Sequence, residues 1–286
     1  MLTTIHNASE LTEIILDYRK KGLKIGFVPT MGALHKGHLH LVKMSKNEND
    51  ITIVSIFVNP TQFNDPRDLE KYPRTLSKDQ ELLQSTASAD ILYAPDVDDI
   101  YPDGIQSGSD IGLGGLDVMM EGSHRPGHFN GVAQVVNRLL EIVKPDNLYM
   151  GQKDFQQFTI INYMLKSLSI PTKLRVCPIV REDNGLAMSS RNVRLSPEVR
   201  TNASIIFKTL KAVKQKSRIL DIESLKQYAI KRLDKPPFKP EYFDIVDGNT
   251  LLPVDNLDNH GYIVACTAVW VEGVRLIDNM VLKSDL

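Results

Sequence analysis

Two kinds of apolar run alternate along the first part of this chain. Residues 9–20 carry Leu11, Ile14, Ile15 and Tyr18 at helical spacing, and residues 23–28 follow as a compact apolar run. Helical spacing returns over residues 37–47. Residues 51–58 read ITIVSIFV, β-branched and almost uninterrupted, as expected of a strand buried on both faces of a parallel sheet. The alternation continues with a helix over 76–84, a strand over 89–93 and an amphipathic helix over 131–143. A strand over 147–150, a helix over 155–168 and a strand over 173–180 complete it. Repeated strand–helix units predict an α/β fold: a doubly wound, Rossmann-like parallel sheet over residues 1–180. Ligands of such sheets bind beyond the carboxyl ends of the strands.

After residue 180 the pattern changes. Helices are expected over 197–216 and 222–233, and Lys235-Pro236-Pro237 breaks the chain. Three β-type runs follow, 242–246, 262–268 and 274–277, with turns rather than helices between them. This predicts a smaller α+β C-terminal domain over 181–286, joined between about 178 and 190 and placed to act as a lid.

Bulk composition narrows the class. The chain has 286 residues with Lys+Arg 34 against Asp+Glu 35, so no net charge recruits nucleic acid or a membrane surface. Two separated cysteines, Cys177 and Cys266, fit a reducing cytoplasm better than a disulfide framework. The start of the chain lacks the basic-then-apolar layout of a signal peptide, and no apolar run reaches bilayer length.

Candidate chemistry gathers where strands hand over to helices. Pro29-Thr30-Met31-Gly32-Ala33-Leu34-His35-Lys36-Gly37-His38 lies between an apolar run and a helical one. A helix N-terminus offers unpaired N–H groups and partial positive charge, which favour phosphate. Two histidines there add donors, and Gly37 allows a close approach that a Cβ would block. Surface histidines or a structural metal are the bland alternatives, and zinc would need further ligands. Asn59 and Gln62, at the end of the most apolar strand, offer amides for a small polar substrate, although Asn-Pro is also ordinary turn chemistry. The charged stretch 65–74, with Tyr72, reads as a solvated loop in preference to a mobile lid.

Residues 121–131 form a glycine-rich loop bearing Glu121, Arg125 and two histidines, a second possible anion contact. Asn137 falls on the inward-looking face of the helix that follows. Gly151-Gln152-Lys153-Asp154 is another strand–glycine–helix junction. Lys153 offers a point charge for phosphate, Asp154 a helix cap or a ribose ligand, and Gln157 faces the same side one turn on. Met188-Ser189-Ser190-Arg191, at the expected hinge, could clamp a triphosphate or form an N-cap and ion pair.

Taken together, PTMGALHKGH, FVNPTQF, EGSHRPGHFNG, GQKDFQQ and the MSSR stretch resemble the pantoate–β-alanine ligase family, in that family's order. The first motif alone says only HxGH nucleotidyltransferase-like superfamily. The resemblance implies an ATP-dependent, AMP-forming ligase. Pantoate's carboxylate would attack the α-phosphorus of ATP, releasing pyrophosphate; β-alanine would then displace AMP from pantoyl adenylate. It assigns ATP to Met31, Gly32, Ala33, Leu34, His35, Lys36, Gly37 and His38, to Gly151, Gln152, Lys153 and Asp154, to Val180, and to Met188, Ser189, Ser190 and Arg191. His38 would be the proton donor, with His35 on the phosphates. Gln62 and Gln157 would hold pantoate, with Gln62 also near β-alanine. Asn59, Tyr72, Glu121 and Arg125 follow more weakly. Mg²⁺, with unknown ligands, and a homodimer are further implications. A nucleotidyltransferase that keeps the nucleotide on its product, or a non-catalytic nucleotide- or RNA-binding relative, are the competing readings.

Overall fold

The β-branched runs pair as strands. β2 (Ile25–Thr30) lies parallel to β3 (Ile51–Ile56), in register from Ile25 against Ile51 to Thr30 against Ile56. The computed structural model describes residues 2–64, 66–86, 89–105 and 111–285. With β1 (Thr3–Ile5), β4 (Ile91–Tyr93), β5 (Asn147–Gly151) and β6 (Lys173–Cys177), these strands form a six-stranded sheet in the order β1-β4-β3-β2-β5-β6. Every pairing in it is parallel. The order reverses between β2 and β5. The crevice beyond Thr30 and Gly151 is therefore the place where this architecture binds ligands.

Both faces of the sheet are covered, as its uninterrupted apolar strands require. On one face α1 (Ala8–Lys20) and α7 (His128–Val143) bury Leu11, Ile15, Val132, Val136 and Leu140 against Ile25, Phe27 and Ile53. On the other, α2 (Lys36–Glu48) and α4 (Leu76–Thr86) bring Leu41, Val42 and Leu83 against Val28, Val54, Leu92 and Tyr149. Each such side chain contributes about 1.5–3 kcal/mol by leaving water.

The C-terminal part is a three-stranded antiparallel sheet of β7 (Lys239–Asp247), β8 (Tyr262–Val271) and β9 (Val274–Ser284). It is preceded by α9 (Pro197–Asn202), α10 (Ser204–Lys216) and α11 (Ile222–Leu233). Side chains alternate across a strand. On β8, Ile263 and Ala265 enter a cluster with Leu210, Val213, Leu225 and Leu233. Val264 and Cys266 point the other way, into the core that holds Phe27 and Val136.

Several elements depart from the sequence pattern. The stretch read as a loop contains α3 (Pro66–Lys71), while Asp65 lies outside the described residues. Short α5 (Val97–Ile100) and α6 (Glu121–His124) were not expected, and α6 replaces part of the glycine-rich loop. The helix read over 197–216 is two, divided at Ala203. β9 extends well past residue 277, because Asp278 and Asn279 break the apolar alternation without ending the pairing to β8. Asn137 is half-exposed rather than inward-facing, and donates to Glu141 on its own helix at 3.0 Å.

Candidate active site

The turn after β2 is built on two consecutive residues of positive φ, Gly32 at 80° and Ala33 at 48°. Such a φ is uncommon for alanine and is held here from outside. The buried carboxylate of Asp79, on α4, accepts from Ala33 N at 2.9 Å and from Leu34 N at 2.7 Å. Ser190 Oγ donates to the Ala33 carbonyl at 3.0 Å. The chain then enters α2 with His35 as its N-cap. His35 Nδ1 accepts from Gly37 N–H at 3.1 Å, which leaves Nε2 as the N–H donor of the neutral ring. The space Gly37 leaves belongs to this ring: a Cβ there would stand 2.7 Å from His35 Cε1. His35 and His38 stack, centroids 4.1 Å apart and planes 26° from parallel.

Across the switch point, β5 ends at Gly151 and α8 (Phe155–Ser167) begins. Lys153 Nζ lies 3.5 Å from the Asp154 carboxylate. Asp154 occupies the N-cap position, but its side chain makes no capping bond, so of its two readings, helix cap or ribose ligand, the cap is not formed. The main chain here is held by Asn279 of β9, whose amide donates to the carbonyls of Gln152 at 2.8 Å and Lys153 at 2.9 Å.

A third wall comes from the 3-10 turn Pro60–Gln62. Gln62 Nε2 approaches Met31 Sδ at 2.8 Å, and buried Asn59 accepts from Tyr101 OH at 2.9 Å. The fourth is a hairpin in which Met188 N donates to Val180 O at 3.0 Å. Its Arg181 makes a two-pronged pair with buried Asp278 at 2.6 and 3.0 Å. Beyond it, Ser189 caps a 3-10 turn by accepting from Arg191 N. Arg191 pairs with Asp68 of α3 at 2.8 Å and lies over the Tyr72 ring.

One cavity joins these walls. Met31, His35, Gly37, His38, Gln62, Gly151, Lys153, Asp154, Gln157, Val180, Met188, Ser189, Ser190 and Arg191 line it, with Asn59 and Tyr72. Gly32, Ala33, Leu34, Lys36 and Gln152 are set back from it. Glu121 and Arg125 line an adjoining cavity, which also touches Lys153 and Arg191.

The pantoate-beta-alanine ligase family model matches residues 3–281. A pantothenate synthetase of Azobacteroides pseudotrichonymphae genomovar. CFP2 is 51% identical over 278 residues, 96% of this chain and 98% of the relative. One from Bacteroides fragilis is 47% identical over 287 residues, 99% of each. Among solved structures, a Thermus thermophilus pantothenate synthetase superposes with a TM-score of 0.89 at 38% identity, covering 99% of this chain and 100% of that one. The Francisella tularensis ligase, solved with beta-gamma ATP and beta-alanine, gives 0.76 at 38% identity, covering 99% of this chain and 98% of its own. This chain belongs to the pantoate–β-alanine ligase family. It is a ligase, and the nucleotidyltransferase and non-catalytic readings are not favoured.

For a ligase of this family the electrostatics of the cavity matter most. Burial, then the charge of Lys153, pulls the His35 imidazole down to about 4. Burial, then His35 and Lys153, takes His38 down to about 3. Both rings are therefore neutral at pH 7 and present N–H donors rather than full charges. His38 Nδ1 is buried without a hydrogen-bond partner among the described residues. The full positive charges on the wall are Lys153 and Arg191.

No sequence motif marks Asp79 or Asn279, and both act on backbone. A threonine four residues before Asp79 and a polar pair inside an apolar strand were the available signals. Among the described residues no group of three or more His, Cys, Asp or Glu side chains could hold a metal.

Proposed function

We propose that the cavity performs both steps of pantothenate formation. Pantoate's carboxylate attacks the α-phosphorus of ATP and pyrophosphate leaves. The amine of β-alanine then attacks the acyl carbon of pantoyl adenylate, and AMP leaves. The observation that carries this is the stacked His35–His38 pair at the α2 N-terminus, with Lys153 facing the same cavity from across the β2/β5 switch point. Anion attacking anion needs donors around phosphorus that cost no reorganisation at the moment of reaction. The α2 N-terminus, His35 Nε2–H and His38 supply hydrogen-bond donors, while Lys153 and Arg191 supply charge. His38 acts at the pentacoordinate phosphorus, and Ser189, Ser190 and Arg191 hold the departing pyrophosphate. Gln62 and Gln157 fix pantoate through its hydroxyls and carboxylate, with Gln62 also beside β-alanine.

Asp154, the carboxylate on the cavity wall, would be the residue to hold a Mg²⁺ brought in with the triphosphate. Bound there, the ion would offset phosphate charge. The division near residue 180 belongs to the same reading, with 181–286 as the part that brings Arg191 and Asn279 over the nucleotide. We place the enzyme in the cytoplasm, with two buried free thiols and, among the described residues, no helix long and apolar enough to cross a membrane. We assign it a homodimer, as the family resemblance implies.

AMP release should require ATP, pantoate and β-alanine together. In His38→Ala, single-turnover adenylate formation should fall by about 10²–10³-fold, the usual effect of removing one preorganised donor, with circular dichroism unchanged. Wild-type single-turnover rates in that variant would remove His38 from the chemistry.

A further inference from the structure

The backbone carbonyl of Gln62 is held more firmly than a turn requires. His128 Nδ1 lies 2.6 Å from it and Arg125 Nη2 3.3 Å. Arg125 Nη1 in turn lies 3.1 Å from His128 Nε2. A guanidinium can only donate, so Nε2 accepts and the ring proton sits on Nδ1, donated to Gln62. The three groups close a triangle that admits one tautomer of a neutral ring. Burial, then the Arg125 charge, depresses the imidazole to about 3.

The triangle is anchored on both sides. Arg125 lies 3.7 Å from Glu121, which is paired with Arg275 and accepts from Tyr242 OH at 3.2 Å. One turn into α7, Asn59 Nδ2 donates to Gly131 O at 3.0 Å. A Cβ on Gly131 would stand 2.4 Å from Thr61 O, so helix and turn are in direct backbone contact. His128 itself is only 6% exposed and is not on the wall of the cavity.

We propose that His128 is a positioning residue for pantoate. Held by Arg125 in its Nδ1–H tautomer, it fixes the main chain of Gln62 and so sets where that residue's amide meets the substrate. The proposal rests on the reading of Gln62 as a pantoate ligand.

Three measurements separate the two. In His128→Leu, KM for pantoate should rise about tenfold, the size of one lost hydrogen bond, while KM for ATP stays within about twofold. His128→Asn, whose amide can donate to the same carbonyl, should recover most of that loss. Gln62→Ala should raise KM for pantoate at least as much. If Gln62→Ala has no effect, the reading of Gln62 fails. If it has its effect and His128→Leu raises neither KM, or both equally, the positioning role fails. Nitrogen-15 NMR of the wild-type enzyme at pH 7 tests the tautomer whether or not the leucine variant folds. A protonated Nδ1 and an unprotonated Nε2 support the proposal; the other tautomer, or an imidazolium, overturns it.

Discussion

Three histidines are kept neutral by their surroundings, and that leaves a signature in stability. An unfolded imidazole takes up its proton near 6.5, whereas folded His128 resists until about 3. Between those values the unfolded chain binds more protons, so stability is complete above about 6.5 and is lost as pH falls toward 3. For buried His128 alone the loss at pH 5 is about 2 kcal/mol. His35 and His38, lowered to about 4 and about 3, act in the same direction. Thermal melts should show Tm dropping from pH 7.5 to pH 5.0, with a shallower drop in His128→Asn. Equal drops in the two proteins would show that His128 titrates normally. The cavity histidines were legible from sequence because their spacing and context announce a helix entrance. The groups that hold the turns of the site in place were not. Asp79 and His128 work through backbone atoms contributed by residues 45 and 66 positions away, a distance no local pattern spans.

The long elements could be read from periodicity because each buries a stripe or a face. The elements that escaped are short. β1 has three residues, and its partner register on β4 is fixed by the sheet rather than by its own composition. α3 and α6 lie in charged or glycine-rich stretches where no apolar stripe marks a helix. β9 hid its second half behind Asp278 and Asn279, the two residues it delivers to the site. Asn279→Ala removes both donors to the 152–153 main chain, a loss of about 1–3 kcal/mol in local hydrogen bonding. It should raise KM for ATP by about tenfold while KM for pantoate moves little. An unchanged KM for ATP would mean that Lys153 holds its place without β9.

The C-terminal sheet is a wall with an apolar core on each side of it. Cluster membership crosses the proposed division near residue 180: Val246, Leu251, Val264 and Cys266 share a core with Phe27 and Val136. Swinging the sheet away as a rigid lid would bare those side chains to water at roughly 25 cal/mol per Å². On the proposed function, any movement over a nucleotide would be left to α3 and the 180–191 segment, which meet through Asp68 and Arg191. Heating should give one calorimetric transition with equal calorimetric and van't Hoff enthalpies. Two resolved peaks would show that the halves melt independently.

The alternation along β8 also bears on how such a chain can be recombined. Successive residues of one strand answer to different neighbours: 263 and 265 to the helices that precede the sheet, 264 and 266 to the N-terminal half. A chimera that takes everything after residue 180 from a relative would inherit a well-matched helical layer and a foreign second layer. Restoring the native Tyr262, Val264 and Cys266 would repair that seam on β8, so compatibility between two parents can turn on every other residue of a single strand.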